Sequence, residues 1–343
     1  MSGMRKSAIL ITGANGEVGH GLIERLSEES SDPIVALDLM EIEPELKKRC
    51  AASYAGSIVD RALMERIVSE YRVREIYHLA ALLSTRAEFT PDTAHDVNVT
   101  GTLDLLRLAR DQGSWAAESV KFLFPSSIAV FGLPDLETKR AAGSVKEWEW
   151  TAPMTMYGCN KLYCEQLGRY YANHYRQLAE EPSEYNVDFR CLRYPGLISA
   201  TTLPQGGTSD YAPEMIHAAA SRKPYACFVR EDTVIPFMAM PDAIDAILSL
   251  ARADVGHLKR RVYNVTSFSA TAGDIRDRVA AHFPHAEITF APDEKRQRIV
   301  DSWPSDVDDS WARSDWDWDA KHDIDATFNG YLFPVIEKKY AGA

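Results

Sequence analysis

Ser7-Ala8-Ile9-Leu10-Ile11-Thr12-Gly13-Ala14-Asn15-Gly16-Glu17-Val18-Gly19 is an apolar run that breaks on three glycines, each three positions after the last. Residues 7–12 read as a buried strand and residues 18–26 as an amphipathic helix. At such a junction Gly13 permits the tight turn and Gly16 lets the backbone approach a pyrophosphate. Gly19 lets the helix pack close to the sheet while its N-terminal amides face the anion. A glycine triplet alone is a weak signal; the strand before it and the helix after it make it a nucleotide-binding turn.

The next apolar run, residues 33–38, ends at Asp38, nineteen positions beyond Gly19. A carboxylate there accepts hydrogen bonds from the adenosine ribose and repels a 2′-phosphate, which favours NAD over NADP. The plainer reading is a turn residue that closes the strand. Further runs at 75–79, 121–125 and 188–194 alternate with helical stretches at 98–109 and 157–175. This rhythm predicts a doubly wound parallel α/β sheet of Rossmann type.

After Tyr194 the rhythm gives way to a loop-rich segment, 195–211, with Gly196, Pro204, Gly206 and Gly207. A helix is expected over 212–220, and residues 241–253 read as a helix returning to the first domain. The expected division is a dinucleotide-binding domain of residues 1–195, joined again by 235–270, and a smaller C-terminal substrate-binding lobe from 196–234 and 271–343. Residues 179–185 read as a solvated surface loop.

The 343 residues are 45% hydrophobic and 26% charged, ordinary values that exclude a disordered, collagenous or coiled-coil chain. The formal charge of −12 argues against nucleic acid or an anionic membrane as partner, so a small molecule is the expected one. No run reaches the length of a membrane span, and the start carries no signal-peptide core. Five scattered cysteines without a CxxC pair read as reduced thiols, which points to the cytoplasm.

Tyr157-Gly158-Cys159-Asn160-Lys161 places Tyr157 and Lys161 four apart on one helix face. A free phenol ionises near about pH 10, too high for a base at neutral pH. A lysine ammonium and a positive nicotinamide ring both favour the phenolate, which makes Tyr157 a usable general base. Ser126 and Ser127 follow the strand at 121–125, at the sheet edge where α/β folds place ligands. Ser127 is the better candidate to hold a reacting oxygen, with Ser126 expected to bond the backbone where the strand ends.

The glycine loop, Asp38, Ser127, Tyr157 and Lys161, in that order, resemble the extended short-chain dehydrogenase/reductases, similar to sugar-nucleotide epimerases over the first 195 residues or so. Four more strings resemble the short-chain type of L-threonine 3-dehydrogenase across nearly the whole chain. They are Tyr77 to Ser84 (YHLAALLS), Cys191 to Ser199 (CLRYPGLIS), Gly206 to Ala212 (GGTSDYA), and Asp301-Ser302-Trp303-Pro304 with Asp308-Asp309-Ser310 and Arg313-Ser314-Asp315-Trp316.

The resemblance implies oxidation of the threonine 3-hydroxyl by NAD, giving 2-amino-3-oxobutanoate and NADH without a metal. It implies that Tyr157 takes the hydroxyl proton, Ser127 bonds the same oxygen, and Lys161 holds the nicotinamide ribose. The cofactor would meet Gly13, Asn15, Gly16, Glu17, Val18, Gly19, Asp38, Ser57, Ile58, Leu79, Ala80, Ala81, Asn98, Tyr157, Lys161, Tyr194, Gly196 and Leu197. Ser84, Thr208, Ser209 and Asp210 join Ser127 and Tyr157 around the amino acid, with Asp210 facing its ammonium. A homodimer through a four-helix interface of the 98–109 and 157–175 helices is also implied.

The chain departs from the pattern at Asn15 and Glu17, at Asn160 where a serine is usual, and at Ser57, a position often acidic. Residues 141–151 form a longer approach to the tyrosine helix that reshapes the pocket rim. His282 and His285 flank a proline with no third ligand nearby, so no metal site is expected. Trp303, Trp311, Trp316 and Trp318 are expected to dock the C-terminal segment rather than form a sugar platform, and His78 to pack beside the cofactor. Two alternatives stay open: a UDP-sugar epimerase or dehydratase on the same fold, and a non-catalytic NAD-sensing protein.

Overall fold

The computed structural model describes residues 5–181, 185–204 and 207–341. Gly206 and positions 182–184 of the expected 179–185 loop lie outside the described residues. Seven parallel strands form the central sheet: β1 (Lys6–Thr12), β2 (Ile34–Asp38), β3 (Ala52–Ala55), β4 (Tyr71–His78), β5 (Lys121–Ser127), β6 (Asp188–Tyr194) and β7 (Val262–Asn264). Their spatial order is β7-β6-β5-β4-β1-β2-β3, so the winding reverses between β1 and β4. Ligands of open α/β sheets bind at that reversal, beyond the carboxyl ends of the strands.

The strands are apolar without alternation because both sheet faces are covered. Ile9 and Ile11 of β1 join the core beneath helix α1 (Glu17–Glu29). Ala8 and Leu10 point the other way, into the core shared by α2 (Arg61–Glu70), α4 (Gly101–Ala116) and α5 (Met156–Asn173). Between α2 and α4 lies the short helix α3 (Ser84–Phe89). The helix expected over 98–109 is entered through a π-helical turn, Asp96–Thr100.

A third core gathers Ile198, Tyr211, Ile216, Phe237, Trp303, Phe328 and Phe333. Its helices include α6 (Tyr211–Ala220) and, near the C-terminus, α8 (Glu294–Asp301), while α7 (Met240–Arg252) packs through Ile244 on the core beneath α1. Trp303, Trp316 and Trp318 are buried, and Trp148 of the 141–151 approach lies on Trp311 at 4.5 Å between ring centroids. That approach is stapled down: Ser144–Val145 pairs in parallel with Asp306–Val307, and the Glu147 carboxylate accepts from Asn264 N at 3.0 Å.

Strands β3 and β7 and helix α2 have no counterpart among the sequence expectations. Four and three residues are too few to show a period of two, and both strands are specified by pairing with β2 and β6.

Candidate active site

The glycine loop leaves β1 through Gly13, whose φ is +69°. A Cβ there would lie 2.6 Å from Ala80 N, so a side chain is excluded both by conformation and by the chain leaving β4. Helix α1 starts at Gly16 with no side-chain cap, which leaves its first-turn amides for an anion. Asp38 is aimed by two backbone donors, Asn15 N at 3.0 Å and Met40 N at 3.1 Å. Uncapped amides, a glycine cradle and an oriented carboxylate fit a dinucleotide.

Behind the cradle runs a buried relay. Ala80 N donates to Thr12 Oγ1 at 3.3 Å, and Thr12 Oγ1 lies 2.9 Å from His78 Nδ1. His78 Nε2 lies 2.8 Å from Thr102 Oγ1, which donates its one proton to Asn98 O at 2.5 Å. That assignment makes Nε2 the protonated nitrogen and leaves Nδ1 to accept from Thr12. Burial drives the imidazole pKa down to about 3, so the ring stays neutral. His78 thus ties β1, β4 and the α4 entrance together from inside the core.

Helix α5 carries Tyr157 and Lys161. Thr155 caps it by accepting from Gly158 N at 3.1 Å, and Glu88 of α3 accepts from Met156 N at 2.7 Å. A Cβ on Gly158 would lie 2.1 Å from Ala129 O, so this glycine lets the tyrosine turn close against the 128–130 turn that follows Ser127. Ser127 Oγ accepts from Ala129 N at 3.2 Å.

Lys161 is buried, donates to Pro125 O at 2.7 Å, and sits 4.4 Å from the Phe124 ring centre and 5.7 Å from that of Tyr157. Burial lowers its pKa to about 8 and pushes the Tyr157 phenol up. Desolvation therefore works against the charged form of each group.

The residues expected at the substrate end are assembled from distant segments. Thr208 Oγ1 donates to Ser84 Oγ at 3.1 Å, across 124 positions of chain. Asp210 accepts from Gly207 N at 2.6 Å, and Arg296 of α8 donates to Gly207 O at 2.8 Å, so a carboxylate and a guanidinium brace the turn that holds Thr208 and Ser209.

The NAD dependent epimerase/dehydratase family profile matches residues 9–266. The chain is 35% identical over 324 residues to the mitochondrial L-threonine 3-dehydrogenase of Bos taurus, covering 92% of this chain and 79% of that one. A monomeric L-threonine 3-dehydrogenase from a metagenome, in its apo form, superposes with a TM-score of 0.84 at 35% identity over 97% of this chain and 99% of that one. The L-threonine dehydrogenase of Clostridium difficile gives 0.85 at 31% identity over 98% and 99%. The chain belongs to the NAD dependent epimerase/dehydratase family.

As a member it is an enzyme that works with a nicotinamide cofactor, and the likeness read from its motifs to the short-chain threonine dehydrogenases is borne out. Several members of the expected site have other partners. Ser126 does not bond the backbone but donates to Glu165 at 2.5 Å. Asn98 directs its amide to both backbone groups of Leu82 and to Asn160, which positions the segment between Ala81 and Ser84. The Tyr194 hydroxyl donates to Ala243 O at 2.6 Å. Asn15 reaches Glu41 O at 2.9 Å, while Glu17 accepts from Thr202.

Ile58 is buried against Gly101, and Ser57 accepts from Val59 N at 3.4 Å. Leu79 N donates to Thr12 O at 3.1 Å, and Ala81 follows Ala80 at the cradle. Val18 and Gly19 belong to the first turn of α1, and Gly196 and Leu197 to the strand Gly196–Ile198. Among the described residues no three His, Cys, Asp or Glu side chains gather as metal ligands, and no helix is long and apolar enough to cross a membrane.

Three residues of this site were missed by sequence reasoning. Glu88 and Arg296 are single charges among many, without a signal. Glu165 had one, since it stands on the Tyr157 and Lys161 stripe of α5, one further turn along.

Proposed function

We propose that this enzyme oxidises the 3-hydroxyl of L-threonine with NAD, giving 2-amino-3-oxobutanoate and NADH without a metal. The observation that carries this reading is the Ser84–Thr208 hydroxyl pair, 3.1 Å apart, which suits a small polar amino acid. Relatives titled L-threonine dehydrogenase that align along almost the full chain support it. In the proposed step Ser127 holds the substrate oxygen and Tyr157, as phenolate, takes its proton. Lys161 keeps that phenolate ionised, and Asp210 faces the substrate ammonium. The nicotinamide, when bound, supplies the hydride acceptor.

Asp38 selects NAD over NADP in this reading. The division into a dinucleotide domain of 1–195 with 235–270 and a substrate lobe of 196–234 with 271–343 puts the reaction at their junction. A homodimer through α4 and α5 is proposed from the exposed Tyr163 and Tyr170 of α5, although one relative is titled monomeric. The free cysteines support a cytoplasmic location.

The test is NADH formation from L-threonine and NAD beside a panel of UDP-sugars. Turnover of threonine alone is expected. Turnover of a UDP-sugar without threonine oxidation overturns the reading in favour of an epimerase or dehydratase, and NAD binding without any turnover favours a sensor.

A further inference from the structure

Glu17 joins the glycine loop to the loop that leads into the substrate turn. It is the first residue of α1, so its own amide belongs to the uncapped first turn offered to an anion. Its carboxylate accepts a hydrogen bond from Thr202, 185 positions later in the chain. Thr202 N donates to Ser199 Oγ at 3.5 Å, and at the neighbouring Thr201 the amide donates to the same oxygen and the carbonyl accepts from Lys339, each at 3.3 Å. Ala200 N donates to the Tyr331 hydroxyl at 3.0 Å, which anchors the same loop to the C-terminal segment.

The charges that face Glu17 are unequal. Asp210 opposes its ionisation from the substrate turn, and Tyr331 lies near from the C-terminal segment. His20 favours the carboxylate from one turn along α1, with Glu43 3.8 Å beyond it. Burial, the largest influence, raises the carboxyl pKa, while the Thr202 bond lowers it. A pyrophosphate on the α1 amides would add a second anion within one residue of this carboxylate.

We propose that Glu17 is a proton-linked clasp between the two lobes: a dinucleotide pyrophosphate bound at the start of α1 draws a solvent proton onto the Glu17 carboxylate, and the neutral acid keeps the Thr202 hydroxyl as partner. The inference rests on the reading that a dinucleotide binds at this loop. One proton passes from water or buffer to a carboxylate oxygen, and no other bond changes. Because binding raises the carboxyl pKa, the added affinity is complete below the free-state pKa and is lost as pH rises through the bound-state pKa.

The experiment is calorimetric titration of the full chain with NAD, from acid to alkaline pH and in buffers of differing ionisation heat. Wild-type protein should take up protons on binding, with affinity falling by up to about tenfold per pH unit across the window. Glu17→Gln keeps an acceptor for Thr202 but cannot titrate, so the proton uptake and the slope of affinity in the acid window should both vanish, whatever affinity for NAD remains. Thr202→Val should move the window to higher pH, since the lost bond had favoured the carboxylate. Unchanged uptake in Glu17→Gln, or an unmoved window in Thr202→Val, overturns the clasp. A wild-type chain that binds no NAD at any pH overturns the underlying dinucleotide reading as well, which separates the two failures.

Discussion

Two neighbouring stretches of α5 bury charge in opposite ways. Lys161 has one backbone acceptor, Pro125 O, and the Tyr157 ring centre lies 5.7 Å from its ammonium, with the phenol's ionisation opposed by burial. One turn further, Glu165 is fully engaged: Arg193 donates to its two oxygens at 2.8 and 2.7 Å, and Ser126 donates at 2.5 Å. The remaining Arg193 nitrogen donates to Glu147 O at 2.8 Å. A buried ion pair in which both carboxylate oxygens and all three guanidinium nitrogens have partners is rigid and inert, whereas a buried ammonium with donors to spare is available to a ligand and a phenolate. The first stretch carries the proposed chemistry and the second is the frame that holds it.

The sharpest way to break this comparison is Glu165→Ala, which leaves Arg193 charged and unpaired in the core. Stability should fall by about 3–5 kcal/mol, read by urea denaturation. A loss within the range of a surface substitution would mean that the pair is not the frame.

Tyr157→Phe removes the proton acceptor and keeps the ring. Turnover should drop by roughly 10² or more with NAD affinity and urea stability nearly unchanged. Lys161→Met should damage turnover and NAD binding together. Near-normal turnover of Tyr157→Phe at saturating substrates would make the pair an ordinary helix feature.

The pH profile sharpens the same contrast. Lys161 in the free enzyme loses its proton near about pH 8, so kcat/KM should decline above that value by up to about tenfold per pH unit. In the loaded complex the nicotinamide charge favours the phenolate, so kcat should keep rising there. Parallel profiles for kcat and kcat/KM would place the titration elsewhere.

Asp38→Ala tests the cofactor end, where the carboxylate is held by backbone amides rather than by a counter-charge. NAD efficiency should fall about tenfold, as expected for one lost charged hydrogen bond, and NADP efficiency should fall less. The smallest effect should come from prolonged dialysis against a strong chelator, since no three ligand side chains converge among the described residues. Activity should stay unchanged, and a loss restored by zinc would point to a different chemistry.

What was legible along the chain is what neighbours in sequence can do alone. A strand, a turn needing φ of +69° and a helix start lie within thirteen residues, so the glycine loop announces itself. The β1, β2 and β6 boundaries follow from apolar runs, and Tyr157 and Lys161 from a four-residue helical step. Strands β3 and β7 were invisible because their stability comes from a partner strand rather than from their own pattern.

By itself, then, the sequence determined the doubly wound class, the glycine turn with Asp38 at the end of the next strand, and the residue types proposed to carry the reaction, because local backbone conformation and short periodicities decide these. Only the tertiary structure decided that Ser126 serves Glu165 rather than the backbone, that Asn98 holds Leu82, that Ser84 meets Thr208, and that Glu17 reaches Thr202. Such contacts join positions up to 185 apart. A hydroxyl or carboxylate has many geometrically acceptable partners, and only the packing of the surrounding cores brings one of them within 3 Å or so.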